Sequence, residues 1–185
     1  GIDDFDSYEF MVDFVEKVAA AGCTRFIVHA RTAWLQGLSP KQNREIPPLR
    51  YDDVYRLKQD FPALDIEING GIETVADIKA HLQHIDGVMI GRAFYHNPYL
   101  LAEANSLWGE PIPKRSDILA KLYPYLEDQV AKGEALPTMT RHYLGLFQGL
   151  MGARKWRQAL SGKPQLTIDD IKRAAAEVLA LNPDA

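Results

Sequence analysis

Two glycine turns are the residues of this sequence best suited to chemistry. Asn69-Gly70-Gly71 and Gly91-Arg92 each follow a short apolar run, and one helical pattern, 74–83, separates the two runs. At the carboxyl end of a parallel strand, glycine lets main-chain N–H groups approach an anion closely. Arg92 adds a planar, permanently charged guanidinium. A single turn of this kind is usually an ordinary connection, but the pair favours a phosphate site.

His29 ends the first predicted strand, on the same rim as the glycine turns. A histidine in that position is more often structural, but beside a phosphate site its neutral ring can donate a hydrogen bond to a flavin or nucleotide edge. Cys23 precedes the strand, which predicts a core position at the opposite end. Because His81, His84 and His96 lack zinc-ligand spacing with cysteines or carboxylates, we expect no metal site. The pattern predicts a cofactor site without an obvious proton donor.

A long polar loop, 31–49, follows the first predicted strand, and its stretch 32–44 comes just after His29 on the same rim. It exceeds the length of a plain strand-to-helix connection, and loops this long are usually functional. Lys41 and Arg44 place two positive charges on it. Trp34 either covers a pocket or anchors the loop, and the sequence leaves both interpretations open.

The charge distribution is uneven, although the net charge of −4 argues against a general polyanion binder. No Asp or Glu occurs from 135 to 168. Aromatic residues lie among the basic ones, which favours a nucleic-acid contact over a merely solvated face. The basic residues of this stretch are Arg141, Arg154, Lys155, Arg157 and Lys163; the aromatic ones are Tyr143, Phe147 and Trp156.

The elements that must position these residues change character along the chain. The first half predicts an αβαβαβ order of parallel strands buried on both faces, with Asp6 and Glu9 forming a capping box at the first helix. Three strands cannot close a barrel, so either other strands are absent or the sheet is open. The predicted helices are 8–21, 52–60 and 74–83, and the strands lie in 24–30, 65–72 and 87–93.

Beyond a linker at 108–113 the sequence predicts helices only, and therefore a small helical domain. The domains are predicted as 1–107 and 108–185. Ser116 and Thr167 are the expected N-caps of two helices. No apolar run is long enough for a membrane span, and the single cysteine is typical of the reducing cytoplasm. The predicted helices are 116–132, 138–151, 153–160 and 168–181.

Six segments, in order along nearly the whole chain, resemble the tRNA-dihydrouridine synthases. The last two resemble the A subfamily in particular. The segments are VHARTA (28–33), NREIPPL (43–49), INGGI (68–72), GVMIGRA (87–93), TRHYLGLF (140–147) and GARKWR (152–157).

This resemblance implies an α/β fold: the C-terminal part of a TIM (β/α)8 barrel, followed by a small all-α tRNA-binding domain. The implied activity is reduction of uridine to 5,6-dihydrouridine in the tRNA D-loop, at positions 20 and 20a, with FMN as cofactor and NADPH as reductant. The family's proton-donor cysteine is expected upstream of Gly1, and Cys23 does not match it. A missing barrel half or a partner chain is expected to cover the open sheet edges; no membrane or DNA partner is expected.

The resemblance also implies roles for individual residues. Two other functions stay open beside this one: a non-catalytic RNA-binding module, and a different phosphate-binding barrel enzyme that acts on small metabolites. The residues expected to hold FMN are His29, Asn69, Gly70, Gly71, Gly91 and Arg92, and those expected to contact tRNA are Lys41, Arg44, Arg154 and Arg157.

Overall fold

The computed structural model describes residues 1–161 and 165–185, in two compact units, Gly1–Ile90 and Gly91–Ala185. The division precedes the predicted boundary at 107/108. Within the second unit, the Tyr99 hydroxyl donates to the Pro113 carbonyl over 3.0 Å, and the Arg115 guanidinium lies 3.4 Å from the Tyr99 ring centroid. These contacts tie the segment before the linker to the helices after it.

The first unit is a three-stranded parallel sheet with helices, in strand order β1-β2-β3. The predicted alternation of helices and strands is confirmed, with one short helix added inside the long loop. The elements are α1 (Tyr8–Ala20), β1 (Arg25–His29), α2 (Pro40–Asn43), α3 (Tyr51–Asp60), β2 (Asp65–Asn69), α4 (Val75–His81) and β3 (Gly87–Met89).

The two faces of the sheet differ in burial. Ile66 and Ile68 of β2 are fully buried on one face, together with Val54 and Leu57 of α3. On the other face, Ile27 of β1 is 53% exposed and Met89 of β3 is 41% exposed. The prediction that the strands are buried on both faces is therefore wrong for the described residues, because no element among them covers Ile27 and Met89.

Ser7, rather than Asp6, caps α1. Its Oγ accepts a hydrogen bond from the Phe10 N–H at 3.1 Å. The Asp6 carboxylate instead accepts from the Thr32 hydroxyl at 2.6 Å and pairs with Arg50. The predicted capping box of Asp6 and Glu9 is wrong because Asp6 is occupied by these longer-range contacts.

The second unit is helical in its described part, as predicted. Three short helical segments precede the linker, and the sequence patterns did not predict them. The elements are α5 (Arg92–His96), α6 (Tyr99–Glu103), a 3₁₀ helix (Ala104–Trp108), α7 (Arg115–Ala131), α8 (Leu136–Thr140), α9 (Ala153–Ser161) and α10 (Ile168–Leu181).

The predicted helix 138–151 is wrong, because α8 ends at Thr140 and turns follow it. Gly149 and Gly152 take φ values of +81° and +89°, which a right-handed helix does not allow. At Gly145, an added Cβ would overlap the main-chain carbonyl oxygen of His96. The Nε of buried Arg115 donates to the Leu146 carbonyl at 2.8 Å and holds this segment.

Trp156 of α9 and Phe147 form the centre of the helical core. Both are fully buried, with ring centroids 4.9 Å apart in an edge-to-face arrangement. Thr167 caps α10 in a capping box with Asp170, as predicted. The prediction of Ser116 as the N-cap of α7 is wrong, because the helix begins at Arg115 and Lys114 occupies the cap position. The Lys114 ammonium can only donate hydrogen bonds, so it cannot accept one from a main-chain N–H.

Candidate functional site

The carboxyl ends of the three strands form one row. His29 is in register with Asn69, and Asn69 with Met89. The Asn69 side-chain amide donates to the Met89 carbonyl at 2.8 Å, so it ties β2 to β3. His29 is exposed, and its Cε1 lies 3.5 Å from where a Cβ on Gly70 would be. The structure therefore brings His29 next to the first glycine turn.

The turn after β2 requires glycine at two successive positions. Gly70 has φ +121° and Gly71 has φ +69°, a region that side-chain-bearing residues rarely adopt. A Cβ on Gly71 would lie 2.7 Å from Leu49 Cδ1, and one on Gly70 would lie 3.1 Å from Leu49 Cδ2. The turn is therefore a bare main-chain surface closely packed against Leu49.

The segment 49–51 crosses the ends of β1 and β2. The Arg50 N–H donates to the Ala30 carbonyl at 2.8 Å, and the Tyr51 hydroxyl donates to the Gly70 carbonyl at 2.7 Å. Leu49 and Tyr51 were not predicted as site residues from the sequence. The only signal for them was their place at the end of the long loop, directly after two prolines.

A buried histidine supports this arrangement from behind. The Tyr51 ring packs edge-on against His81, with centroids 4.5 Å apart, and the Tyr55 hydroxyl lies 2.7 Å from His81 Nδ1. Burial lowers the pKa of the His81 imidazole, an effect that Asp77 opposes. Burial also raises the pKa of the Tyr51 phenol. At neutral pH Tyr51 is therefore a protonated donor beside a neutral imidazole.

The second glycine turn begins the second unit. Gly91 has φ −105° and precedes α5, and Arg92 is the exposed first residue of that helix. A Cβ on Gly91 would meet no atom of the described residues within 4 Å. This part of the chain therefore imposes no steric need for glycine at position 91. The joint site of the two turns stays a prediction, because they lie in different units.

The long loop is ordered by main-chain contacts. Asn43 accepts from the Trp34 N–H at 2.8 Å and donates to the Trp34 carbonyl at 2.7 Å, so the main chain of Trp34 anchors the loop. Arg31 donates to the Pro47 carbonyl. Ser39 and Gln42 form a capping box at α2. This framework leaves Lys41 and Arg44 exposed.

The basic helix α9 has two distinct sides. Arg154 and Arg157 are exposed, whereas Trp156 is fully buried. Trp156 therefore packs the helix onto its domain, and its burial removes it from the aromatic residues expected to favour a nucleic-acid contact. Arg157 donates to the side-chain oxygen of Gln148 at 3.4 Å. Lys163, the last residue of the predicted basic stretch, lies outside the described residues.

The part of the chain that the structure describes holds no candidate metal site. It contains no group of three or more His, Cys, Asp or Glu side chains placed to hold a metal ion. No described helix combines the length and apolar character needed to cross a membrane. Cys23 is half-buried just before β1, at the end of the strand opposite His29.

Comparison with known proteins identifies relatives over nearly the whole chain. The family model described as dihydrouridine synthase (Dus) matches residues 1–177. The chain is similar to proteins named tRNA-dihydrouridine(20/20a) synthase. It is 54% identical to that of Vibrio parahaemolyticus (96% of this chain, 57% of the relative) and 56% identical to that of Synechocystis (87% and 49%). The Escherichia coli relative is 53% identical (87% and 50%). The chain thus spans about half the length of the curated relatives it matches.

Proposed function

Since the chain belongs to the dihydrouridine synthase family, we propose that it is the FMN-phosphate-binding and tRNA-binding portion of a tRNA-dihydrouridine synthase. The observation that carries this proposal is the double-glycine turn at Gly70 and Gly71, with His29 beside it. Parallel strands present ligand sites at their carboxyl ends, and a bare glycine turn there suits a phosphate monoester.

The fold proposed for the complete protein is a TIM barrel, with 1–107 as its C-terminal part and 108–185 as a helical tRNA-binding domain. The sheet order β1-β2-β3 supports this proposal, because β1 and β3 are outer strands of the described sheet. The exposure of Ile27 and Met89 supports it as well, since the interior of a closed barrel is filled with side chains. A preceding barrel half or a partner chain would cover these edges.

The residues present fit the phosphate end of FMN. A side chain at Gly70 or Gly71 would crowd Leu49, so this turn presents main chain only, and a Cβ on Gly91 would have no described atom within 4 Å. Asn69, Gly70, Gly71, Gly91 and Arg92 would hold the phosphate, and His29 would donate to the flavin. When bound, FMN supplies the hydride for uracil reduction, with NADPH as its reductant. No residue of this chain is assigned as the proton donor.

We assign tRNA contacts to exposed cations. Lys41 and Arg44 lie on the long loop that follows His29, and Arg154 and Arg157 lie on α9. The substrate proposed is uridine 20 or 20a of the D-loop, the positions in the relatives' names. The target base must leave the stack, while phosphate contacts position the folded RNA. The cytoplasm is the proposed compartment.

The experiment is a set of three titrations of the purified chain, with FMN, with riboflavin and with an unmodified tRNA transcript. We expect FMN to bind more tightly than riboflavin, which lacks the phosphate, and tRNA to bind with strong salt dependence. Equal affinity for the two flavins would overturn the phosphate site. Binding of tRNA without any flavin would instead favour the non-catalytic RNA-binding module.

A further inference from the structure

Tyr51 is held at both ends of its side chain. Its ring lies edge-on against the buried imidazole of His81, with centroids 4.5 Å apart, and its hydroxyl donates to the Gly70 carbonyl at 2.7 Å. Tyr51 is the first residue of α3, so its main chain is fixed by the helix. Because its main chain, ring and hydroxyl are all fixed, Tyr51 can restrain the orientation of the carbonyl to which it donates.

The group that Tyr51 bonds belongs to the peptide between Gly70 and Gly71. A peptide unit is planar and trans, so its C=O and its N–H point in opposite directions. Because the Gly70 carbonyl is directed at Tyr51, the Gly71 N–H is directed away from Tyr51. Glycine has little intrinsic preference among main-chain conformations. Without the hydrogen bond from Tyr51, this peptide between two glycines would therefore rotate more freely than a peptide between residues with side chains.

We propose that Tyr51 is a positioning residue that sets the direction of the Gly71 N–H and thereby prepares the turn for a phosphate monoester. This inference rests on the proposed function and adds a residue outside the phosphate-holding set. Leu49 restricts the same turn by packing, since its two methyl groups lie 3.1 Å and 2.7 Å from where Cβ atoms on Gly70 and Gly71 would be. The Tyr51 hydrogen bond therefore sets the direction of the peptide, and the Leu49 packing restricts the space around it.

The test compares Tyr51→Phe with Tyr55→Phe. Both variants lose one hydroxyl from the same helix, and both rings contact His81, but only the Tyr51 hydroxyl reaches Gly70. We expect the ratio of the riboflavin Kd to the FMN Kd to fall roughly three- to tenfold in Tyr51→Phe, as one neutral hydrogen bond implies. The ratio should stay unchanged in Tyr55→Phe. Riboflavin reports any general disturbance of the flavin site, so equal weakening of both ligands would overturn the proposal.

A second measurement follows the turn directly. In the ¹⁵N-labelled chain, we expect inorganic phosphate to shift the Gly71 amide resonance, and Tyr51→Phe to require a several-fold higher phosphate concentration for the same shift. If phosphate and FMN both leave this amide unmoved in the wild-type chain, the phosphate site fails and Tyr51 fails with it. If the wild type responds and Tyr51→Phe responds equally, the positioning role alone fails and the proposed function stands.

Discussion

At the scale of single residues, the glycine turn allows a matched test of steric crowding. Gly71 (φ +69°) and Gly37 (φ +82°) share a left-handed conformation in the same unit, but a Cβ on Gly37 meets no described atom within 4 Å. We expect Gly71→Ala to lower the free energy of unfolding by about 1–3 kcal/mol more than Gly37→Ala does, because only the new methyl at 71 pushes against Leu49. Urea denaturation measures both. Equal losses would mean that Leu49 moves aside without cost.

Arg92 is the positively charged residue of the proposed phosphate site. We expect Arg92→Ala to weaken FMN binding by about 1.5–3 kcal/mol, since it removes a charge-assisted hydrogen bond. Arg173→Ala on α10 is the control, because it removes the same charge from a side chain that is 70% exposed. The Arg173 guanidinium lies 3.7 Å from the Asp170 carboxylate. Arg31 is unsuitable as a control, since it bonds the Pro47 carbonyl of the long loop. A similar FMN affinity in the Arg92 and Arg173 variants would remove Arg92 from the site.

His81 should make stability depend on pH. Burial lowers its pKa, while Asp77 raises it and His84 lowers it further. The folded state therefore favours the neutral ring, and protons bind preferentially to the unfolded chain. This contribution is present above the unfolded pKa of about 6.5 and is lost as the pH falls.

We accordingly expect the free energy of unfolding to decrease below about pH 6.5, with a shallower decrease in His81→Phe. The control variant is His142→Ala, at an exposed histidine of the other unit. Denaturant titrations at several pH values compare the three proteins. An unchanged slope in His81→Phe would assign the acid sensitivity to other groups.

The residues of the proposed site that the sequence predicted differ in kind from those that it missed. Gly70, Gly71 and His29 were predicted because strand ends and glycines are visible in local patterns. Leu49 and Tyr51 were missed because their role depends on the path of the long loop, which returns to the ends of β1 and β2 through hydrogen bonds such as that of Arg50 with Ala30. Local periodicity contains no information about that path.

At the scale of elements, α9 combines a buried tryptophan with exposed arginines. If Arg154 and Arg157 bind phosphates, the double alanine variant should weaken tRNA binding. The slope of log K against log salt should become shallower by up to about 0.9 for each phosphate that is no longer neutralised on a duplex segment. Filter binding across a salt series measures this slope. The control is Lys121→Ala on α7 with Lys132→Ala at its C-cap, which removes two exposed charges elsewhere in the same unit and should leave the slope unchanged.

The longer helices were predicted well, and helices of four or five residues were not. Both bounds fall within one residue of expectation in α1, α3, α7, α9 and α10. The prediction of a helix over 138–151 failed because its apolar residues are spaced as in a helix, whereas Gly149 and Gly152 take positive φ values that end helical structure. The spacing of hydrophobic residues shows which side chains are buried, but the main-chain conformation also depends on each glycine between them.

At the scale of the whole molecule, the two faces of the sheet should respond differently to truncation. Ile68→Ala, in the buried face, should cost about 2–5 kcal/mol of unfolding free energy, whereas Ile27→Ala should change it by less than about 1 kcal/mol in this chain. Chemical denaturation of the two variants measures the difference. A large loss in Ile27→Ala would mean that another copy or another segment covers that face in solution.

Gly71 and Gly145 differ in how readily evolution can replace them. The atoms that crowd position 71 belong to the Leu49 and Tyr51 side chains, so a smaller residue at 49 can relieve most of the crowding, and the positive φ then becomes the main cost of a side chain at 71. The atom that blocks position 145 is the main-chain carbonyl oxygen of His96, which every amino acid carries. No substitution at 96 can open that space. Among homologues with this main-chain path, any residue other than glycine at 71 should therefore be one that tolerates a positive φ, such as asparagine, and should occur with a small residue at 49, whereas glycine at 145 should persist whatever residue occupies 96.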